Sequence, residues 1–359
     1  MPLDRRQFVG SVGTAGALAF AGCLGGGDDN SGSDTAANVG MVYATGGLGD
    51  GSFNDQAQSG IQRAEEDLGI SYNESQPEEV AEFGNLQQQY AQSTSPDYDL
   101  VSCIGFLQAD ALSETAPEYS DQDFMIVDSV PTNEDGEQFG NVGSYVFSEH
   151  EGSFLIGMMA GRLTSQSFEA GSNSTSTDST NVGFVGGVES DLIKKFEAGY
   201  TAGVKHANED VDVQTSYVGG FSDPSGGKEA ALSMYNSGAD LIFHAAGQSG
   251  TGVFQAAQEQ GRFAFGVDRD QSVTLPDYSG VILASMVKRV DTAVYTAVEQ
   301  VVNDEFEGGA TTALGLSDNG VEAVYGQDLG SQIPQEIKDE VSTARDDIIN
   351  GDIDVPQSP

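Results

Sequence analysis

The chain has 359 residues, with 56 Asp and Glu against 14 Lys and Arg, a formal net charge of −42. Hydrophobic residues make up 38%, with 18 Phe and 12 Tyr, enough for sizeable cores, which argues against a wholly disordered acidic chain. The charge argues against a nucleic-acid binder, because phosphate contact needs a basic footprint; an anionic membrane surface would repel the chain, so any membrane attachment is covalent or hydrophobic. This acidic excess without Trp reads as adaptation to molar salt, where the Debye length falls to about 3 Å and self-repulsion is screened. The alternative is an acidic protein from moderate salt that carries its charge for solubility.

Residues 1–22 read as an address. Arg5-Arg6-Gln7-Phe8 is a twin-arginine pair ahead of an apolar, glycine-rich stretch from Val9 to Ala21 that is too short to span a bilayer permanently. That pattern predicts export of a folded protein. The stretch ends in Leu18-Ala19-Phe20-Ala21-Gly22-Cys23, which resembles a lipobox, with Cys23 lipid-modified as the mature N-terminus. Phe20 stands where an aliphatic residue is usual, and an ordinary signal peptide with an incidental Cys is the alternative. Residues 23–37 are mostly Gly, Asp, Ser and Asn and predict a flexible tether. Cys103, within the apolar run Leu100–Ile104, predicts a small buried hydrophobe without a disulfide. The expected product is a globular body held on the outer face of the cytoplasmic membrane.

From Val39 onward, short apolar runs alternate with helix-length segments. The strand candidates are Val39–Tyr43, Leu100–Ile104, Phe124–Val127, Val142–Phe147, Val182–Val185, Val213–Val218, Leu241–Phe243, Phe263–Val267 and Val281–Ser285. Amphipathic candidates between them include Gln56–Leu68, Ser153–Leu163, Lys194–Glu209, Gly227–Ser237 and Thr251–Gln260. The alternation predicts an α/β fold with parallel sheets and helices on both faces; so many strands fit two Rossmann-like lobes. The expected division gives residues 38–148 with about 269–305 to one lobe, and 149–268 with about 306–359 to the other. The polar run Ser172–Thr180 predicts a disordered surface loop. Asn73-Glu74-Ser75 and Asn173-Ser174-Thr175 match the glycosylation sequon.

Enzymatic signals are poor. His150, His206 and His244 have no metal-ligand spacing, and Gly247-Gln248-Ser249-Gly250-Thr251 fails the nucleophile-elbow pattern at its fifth place. Gly47-Leu48-Gly49-Asp50-Gly51-Ser52 lacks the last glycine of a dinucleotide fingerprint. Neither a catalytic centre nor a cofactor is expected, and an exported α/β body without catalytic equipment points to binding.

Ligands of open parallel sheets lie beyond the carboxyl ends of the strands. The first strand runs into a glycine-rich loop holding Asp50, Phe53 and Asn54; others run into Asp128 and Asp268, and Lys288 follows the last. Carboxylates, an amide and an ammonium together suit a polyhydroxylated ligand, and Phe53 offers a flat platform. Each also has a plainer reading: the Asp residues as helix caps, Lys288 as a surface partner of Asp291, and Phe53 as a hydrophobic staple.

The run Asp50-Gly51-Ser52-Phe53-Asn54 resembles the D-x-S-F-N signature of the basic membrane protein family. Further motifs follow in the family's order: Glu151–Gly157, Val182–Gly187, Lys195–Gly199, Gly226–Lys228, Gly238–Gly247, Gly266–Gln271 and Ser285–Arg289. The resemblance covers about residues 39–300. It implies a type I periplasmic-binding-protein fold, two lobes with three crossovers, in a substrate-binding lipoprotein of an ABC importer. The implied ligand is a nucleoside, of the purine type in the best-understood members; the implied partners are permease and ATPase subunits. With the charge, it implies a member from a halophilic archaeon. By resemblance the base stacks between Phe53 and Phe196, its edge meets Asp50, Asn54 and Asp128, the ribose is held by Asp268 and Lys288, and Gly247 lets backbone approach. Tyr200 stands where the family often has Phe. A sugar-binding protein and a surface sensor remain the alternative readings, whereas export and acidity argue against a transcription regulator of the same fold.

Overall fold

The computed structural model describes residues 35–176 and 180–359. The twin-arginine segment, Cys23 and the tether up to Asp34 lie outside the described residues, as do Thr177–Ser179. The folded body starts before the expected end of the tether: Ala37 is buried, and Ala36 N and Ala37 O bond to Gly69 O and Ser71 N.

Two six-stranded sheets form the frame. The first comprises β1 (Asn38–Val42), β2 (Ser71–Ser75), β3 (Leu100–Cys103), β4 (Asp123–Val127) and β5 (Val142–Phe147), joined late in the chain by Thr311–Leu314. After β6 (Glu169–Ala170) and β7 (Asn173–Ser174), a small hairpin, the second sheet comprises β8 (Asn181–Gly186), β9 (Asp212–Tyr217), β10 (Ala239–Ala245), β11 (Phe263–Asp268) and β12 (Ile282–Lys288). With Thr311–Leu314 as β13 and Val321–Tyr325 as β14, the orders are β13-β5-β4-β3-β1-β2 and β14-β12-β11-β10-β8-β9. All neighbours are parallel except β12 and β14. Central strands such as β3 and β10 are buried along their whole length, which is why they read as unbroken apolar runs.

Ten helices connect the described strands: α1 (Phe53–Leu68), α2 (Phe83–Ala91), α3 (Ala109–Glu118), α4 (Glu149–Thr164), α5 (Asp191–Ala207), α6 (Pro224–Asn236), α7 (Thr251–Gln260), α8 (Gln271–Thr274), α9 (Val290–Val302) and α10 (Gln335–Asn350). The chain passes between the sheets three times, from β5 to α4, from β12 to α9 and from β13 to β14. The lobe division differs from the sequence expectation at two of these points. β12 completes the second sheet, so the second lobe runs on through Lys288, and only α9 returns to pack on α1. β13 pairs with β5, so the return to the second lobe follows Leu314. Apolar runs report that a strand is buried and not which parallel sheet buries it.

The described part of the polar run, residues 173–176, is also more ordered than expected. Asn173 and Thr175 are buried: the Asn173 amide donates to Gly280 O over 2.6 Å, and the Thr175 hydroxyl donates to Gln166 O over 2.7 Å. The second sequon therefore sits on an inward-facing Asn, whereas Asn73 is exposed on edge strand β2. Cys103 is buried and free, as its apolar surroundings predict.

Helices α4 and α5 meet at glycines. A Cβ on Gly157 would stand 2.1 Å from Tyr200 O, and one on Gly203 would stand 2.0 Å from Phe154 O. Gly199 is as tightly opposed, a Cβ there falling 2.1 Å from His150 O, and one on Gly161 would stand 2.8 Å from Val204 O, so the two helix backbones touch. Tyr200 fills the space beneath them against Phe184 and Phe243, with ring centroids 6.2 and 5.4 Å away.

Candidate binding site

The N-terminus of α1 is built by two aspartates. Oδ1 of Asp50 accepts from Ser52 N at 2.8 Å and Oδ2 from Asn54 N at 3.0 Å, which satisfies amides that a helix start leaves unpaired. Asp55 accepts from Gly49 N and Gly51 N at 2.7 and 2.8 Å, folding the glycine-rich loop back on the helix. The outcome is a rigid loop that presents Phe53 at the first helical position, its ring edge against Gly105.

A cavity between the two sheets' carboxyl ends is lined by Asp50, Phe53, Asp128, Phe196, Gly247, Asp268 and Lys288, seven of the eight ligand-binding residues expected from sequence. The eighth, Asn54, is not in its wall. Its Oδ1 accepts from Ala44 N at 2.9 Å and its Nδ2 donates to Asp50 Oδ2 at 3.2 Å, so it braces the loop. Asp50 reaches the wall with both oxygens engaged by the start of α1, which leaves little of it for a ligand edge. Phe106 and Phe221, which the sequence reading passed over, close the cavity from opposite lobes, their rings edge to face at 6.4 Å. Aromatic content alone could not single them out among 18 Phe.

Asp128 and Asp268 occupy matching places, each just beyond or at the end of the third strand of its sheet. Both have positive φ, 69° and 63°, a conformation that side chains other than Gly rarely adopt and that turns the carboxyl out of the strand direction. Neither caps a helix: Asp128 leads to β5, and the cap of α8 is Asp270. Gly247 likewise has φ +52°.

Lys288 is the last residue of β12 and is buried. Its Nζ lies 2.6 Å from Asp128 Oδ1 and 3.0 Å from Glu149 Oε1, not near Asp291, which instead takes a hydrogen bond from Gln56. Three rings surround the ammonium, Phe147, Phe53 and Phe196, at 5.0, 5.3 and 5.6 Å from their centroids. Burial alone would push the Lys288 pKa down, but Asp128, Glu149 and Asp268 more than offset it and hold the ammonium protonated. Burial pushes Asp268 up to about 7 against the pull of Lys288 and Ser52, and Asp128 up to about 6 against Lys288. Glu149, absent from the sequence reading, is the fully buried fourth member of this cluster.

None of the histidines lines the cavity. His244 lies within β10, where burial pushes it down to about 4; its neutral ring donates to Gln271 Oε1 at 3.0 Å, an oxygen that also accepts from Val267 N.

The lobes touch at the cleft. Ser52 Oγ donates to Asp268 Oδ2, Thr274 Oγ1 donates to Gly51 O at 3.0 Å, and Leu275 covers Gly51. The arrangement can enclose a small ligand having one flat face and several hydroxyls, with its walls mostly apolar and its charges concentrated at one end.

A family model described as Bmp, ABC transporter substrate-binding protein PnrA-like, matches residues 37–359. The ABC transporter nucleoside-binding protein BmpA of Lactococcus lactis is 32% identical over 97% of this chain and 97% of its own. An uncharacterized lipoprotein of Pyrococcus abyssi is 34% identical over 84% of this chain and 72% of its own. Among solved structures, an ABC transporter solute-binding protein of Aeropyrum pernix K1 superposes with a TM-score of 0.78 at 28% identity, covering 90% of this chain and 94% of that one.

Proposed function

The chain belongs to the Bmp family of PnrA-like ABC transporter substrate-binding proteins, with a type I periplasmic-binding-protein fold, and from that premise we propose that its ligand is a nucleoside, of the purine type. It is a binding protein and not an enzyme. The observation that carries the proposal is the placing of Phe53 and Phe196 on one ammonium, 5.3 and 5.6 Å from their centroids, with Asp268 and Asp128 beside it. Two flat apolar faces suit a base, while a cation flanked by carboxylates suits the vicinal hydroxyls of a ribose. Three acids around one Lys288 disfavour a phosphate, which separates a nucleoside from a nucleotide. The nucleoside-binding name of the Lactococcus lactis relative supports the same reading.

In this proposal an open form admits the ligand and the lobes hinge shut around it. Binding energy shared by both lobes biases an equilibrium that exists without ligand, and the closed form docks on a permease served by an ATPase. We extend it to import at the cell surface, with export by the twin-arginine route and a lipid on Cys23; the signal sequence and the lipoprotein relative support this part.

Calorimetry with guanosine, ribose and guanosine monophosphate tests the assignment. Guanosine should bind, the other two far more weakly, and Phe53→Ala should cost guanosine about 1–3 kcal/mol while hardly changing ribose. Ribose binding as tightly as guanosine would favour the sugar reading instead. Mass spectrometry of any small molecule that copurifies gives an independent identification.

A further inference from the structure

Glu149 lies where cleft and hinge meet. It is the first residue of α4, directly after the β5 crossover, and is fully buried. Its Oε1 is 3.0 Å from Lys288 Nζ at the end of β12, and so reaches the second crossover. Its Oε2 is 2.9 Å from Lys195 Nζ, which also donates to Phe147 O at 3.0 Å. Two residues on, Glu151 Oε2 accepts from Leu316 N at 2.8 Å, in the third crossover, and Ser148 N donates to Leu314 O. The first turn of α4 thus ties all three passages of the chain together, with its acids at the end where a helix favours negative charge.

We propose that Glu149 is a positioning residue that aims the Lys288 ammonium into the cleft and couples occupation of the cleft to the hinge. The inference rests on reading Lys288 as a ligand donor. A lysine side chain has four flexible carbons, so an ammonium that must meet a ligand hydroxyl needs to be held before the ligand arrives. Its three donors here face Asp128 on one lobe and Glu149 in the crossover, leaving one direction for the cavity. Phe53, Phe147 and Phe196 block the ways around. Glu149 and Lys288 stand where the first and second crossovers join the second lobe, whereas Asp128 follows β4 of the first lobe, so rotation of the lobes changes the Lys288–Asp128 separation while Glu149 keeps its hold on the ammonium. A ligand that draws on Lys288 therefore acts on the hinge through Glu149.

The test compares Glu149→Gln, which keeps shape and removes charge, Glu149→Asp, which keeps charge and withdraws it by one carbon, and Lys288→Ala. Guanosine affinity is read by calorimetry, and amide hydrogen exchange is followed in the ligand-free proteins. Glu149→Gln is expected to weaken guanosine about tenfold or more and to speed exchange in residues 287–290 and 314–317, with strand β10 unchanged. Glu149→Asp should lie between it and the parent, and serves if Glu149→Gln does not fold. Parent-like affinity in Glu149→Gln while Lys288→Ala loses binding would overturn the proposal, as would unchanged exchange at 287–290 or faster exchange spread evenly into β10. If Lys288→Ala binds guanosine normally, or the parent protein does not bind it, the nucleoside reading falls, and the local exchange response alone then decides for or against Glu149 at the hinge.

Discussion

The Ser52 hydroxyl donates to Oδ2 of Asp268 over 2.5 Å, joining the loop before α1 in one lobe to the end of β11 in the other. A contact between the two lobes thus already occupies part of a carboxylate that the nucleoside reading assigns to the ribose. Ser52→Ala should shift the ligand-free protein toward an open form and weaken guanosine by about tenfold, as expected for a hydrogen bond to a charged group. Small-angle scattering checks the first effect and calorimetry the second; an unchanged radius of gyration would show that this bond does not hold the lobes.

Removing the acceptor itself should do more. Asp268→Ala is expected to lower nucleoside affinity by at least about tenfold, and calorimetry giving parent-like affinity would remove Asp268 from the site.

The acid–base behaviour of Asp268 runs in two directions. Burial raises its folded pKa to about 7 from 3.8, so the folded state holds this proton more tightly than the unfolded chain does. Its contribution to stability is present below the unfolded value and is lost as pH rises to about 7. Ligand hydroxyls, in contrast, donate best to the ionised form, so guanosine affinity should fall as pH drops below about 7. Asp268→Asn should flatten part of both profiles, read by thermal unfolding and by calorimetry from about pH 4 to about pH 8, a span that runs from the unfolded carboxylate value past the folded value of about 7.

Asp50 should behave as a helix cap. Asp50→Ala is predicted to destabilise the protein by about 0.5–2 kcal/mol, with Asp50→Asn milder, because the lost partners are the amides of Ser52, Asn54 and Asp55. Denaturant unfolding measures this. A large loss of affinity at unchanged stability would instead return Asp50 to the base edge.

Among acidic side chains of the described residues, those of Asp50, Asp128, Glu149, Asp240 and Asp268 are buried, and the rest of the excess lies toward solvent. If the charge is an adaptation to molar salt, the unfolding midpoint should rise between about 0.2 and 3 M salt as the screening length shrinks from about 7 Å to below 2 Å. A flat response would leave solubility as its purpose.

Much of this was legible in the residues. The loop Asp50–Asn54 and the strand ends at Asp128, Asp268 and Lys288 are local features, and a parallel sheet brings strand ends together without further information. Three kinds of feature were not. The polar edge strand β2, Ser71–Ser75, has no apolar run because most of it faces solvent. The lobe of β12 and β13 depends on pairing between distant segments. Asn54 and Glu149 resemble any surface amide or helical acid until their partners, Ala44 N and Lys288, are in place.

The glycine seam between α4 and α5 has a mechanical consequence. With backbones in contact there is no side-chain layer to slip, so in the proposed closure α5 and its Phe196 would travel with α4 as one stiff lever whose fulcrum is the first crossover. Phe53 stands on the other lobe, on a loop that docks through Ser52. Of the two faces that would hold a base, Phe196 is therefore an anvil fixed to its lobe, and fit to rings of different size falls to the jaw that carries Phe53.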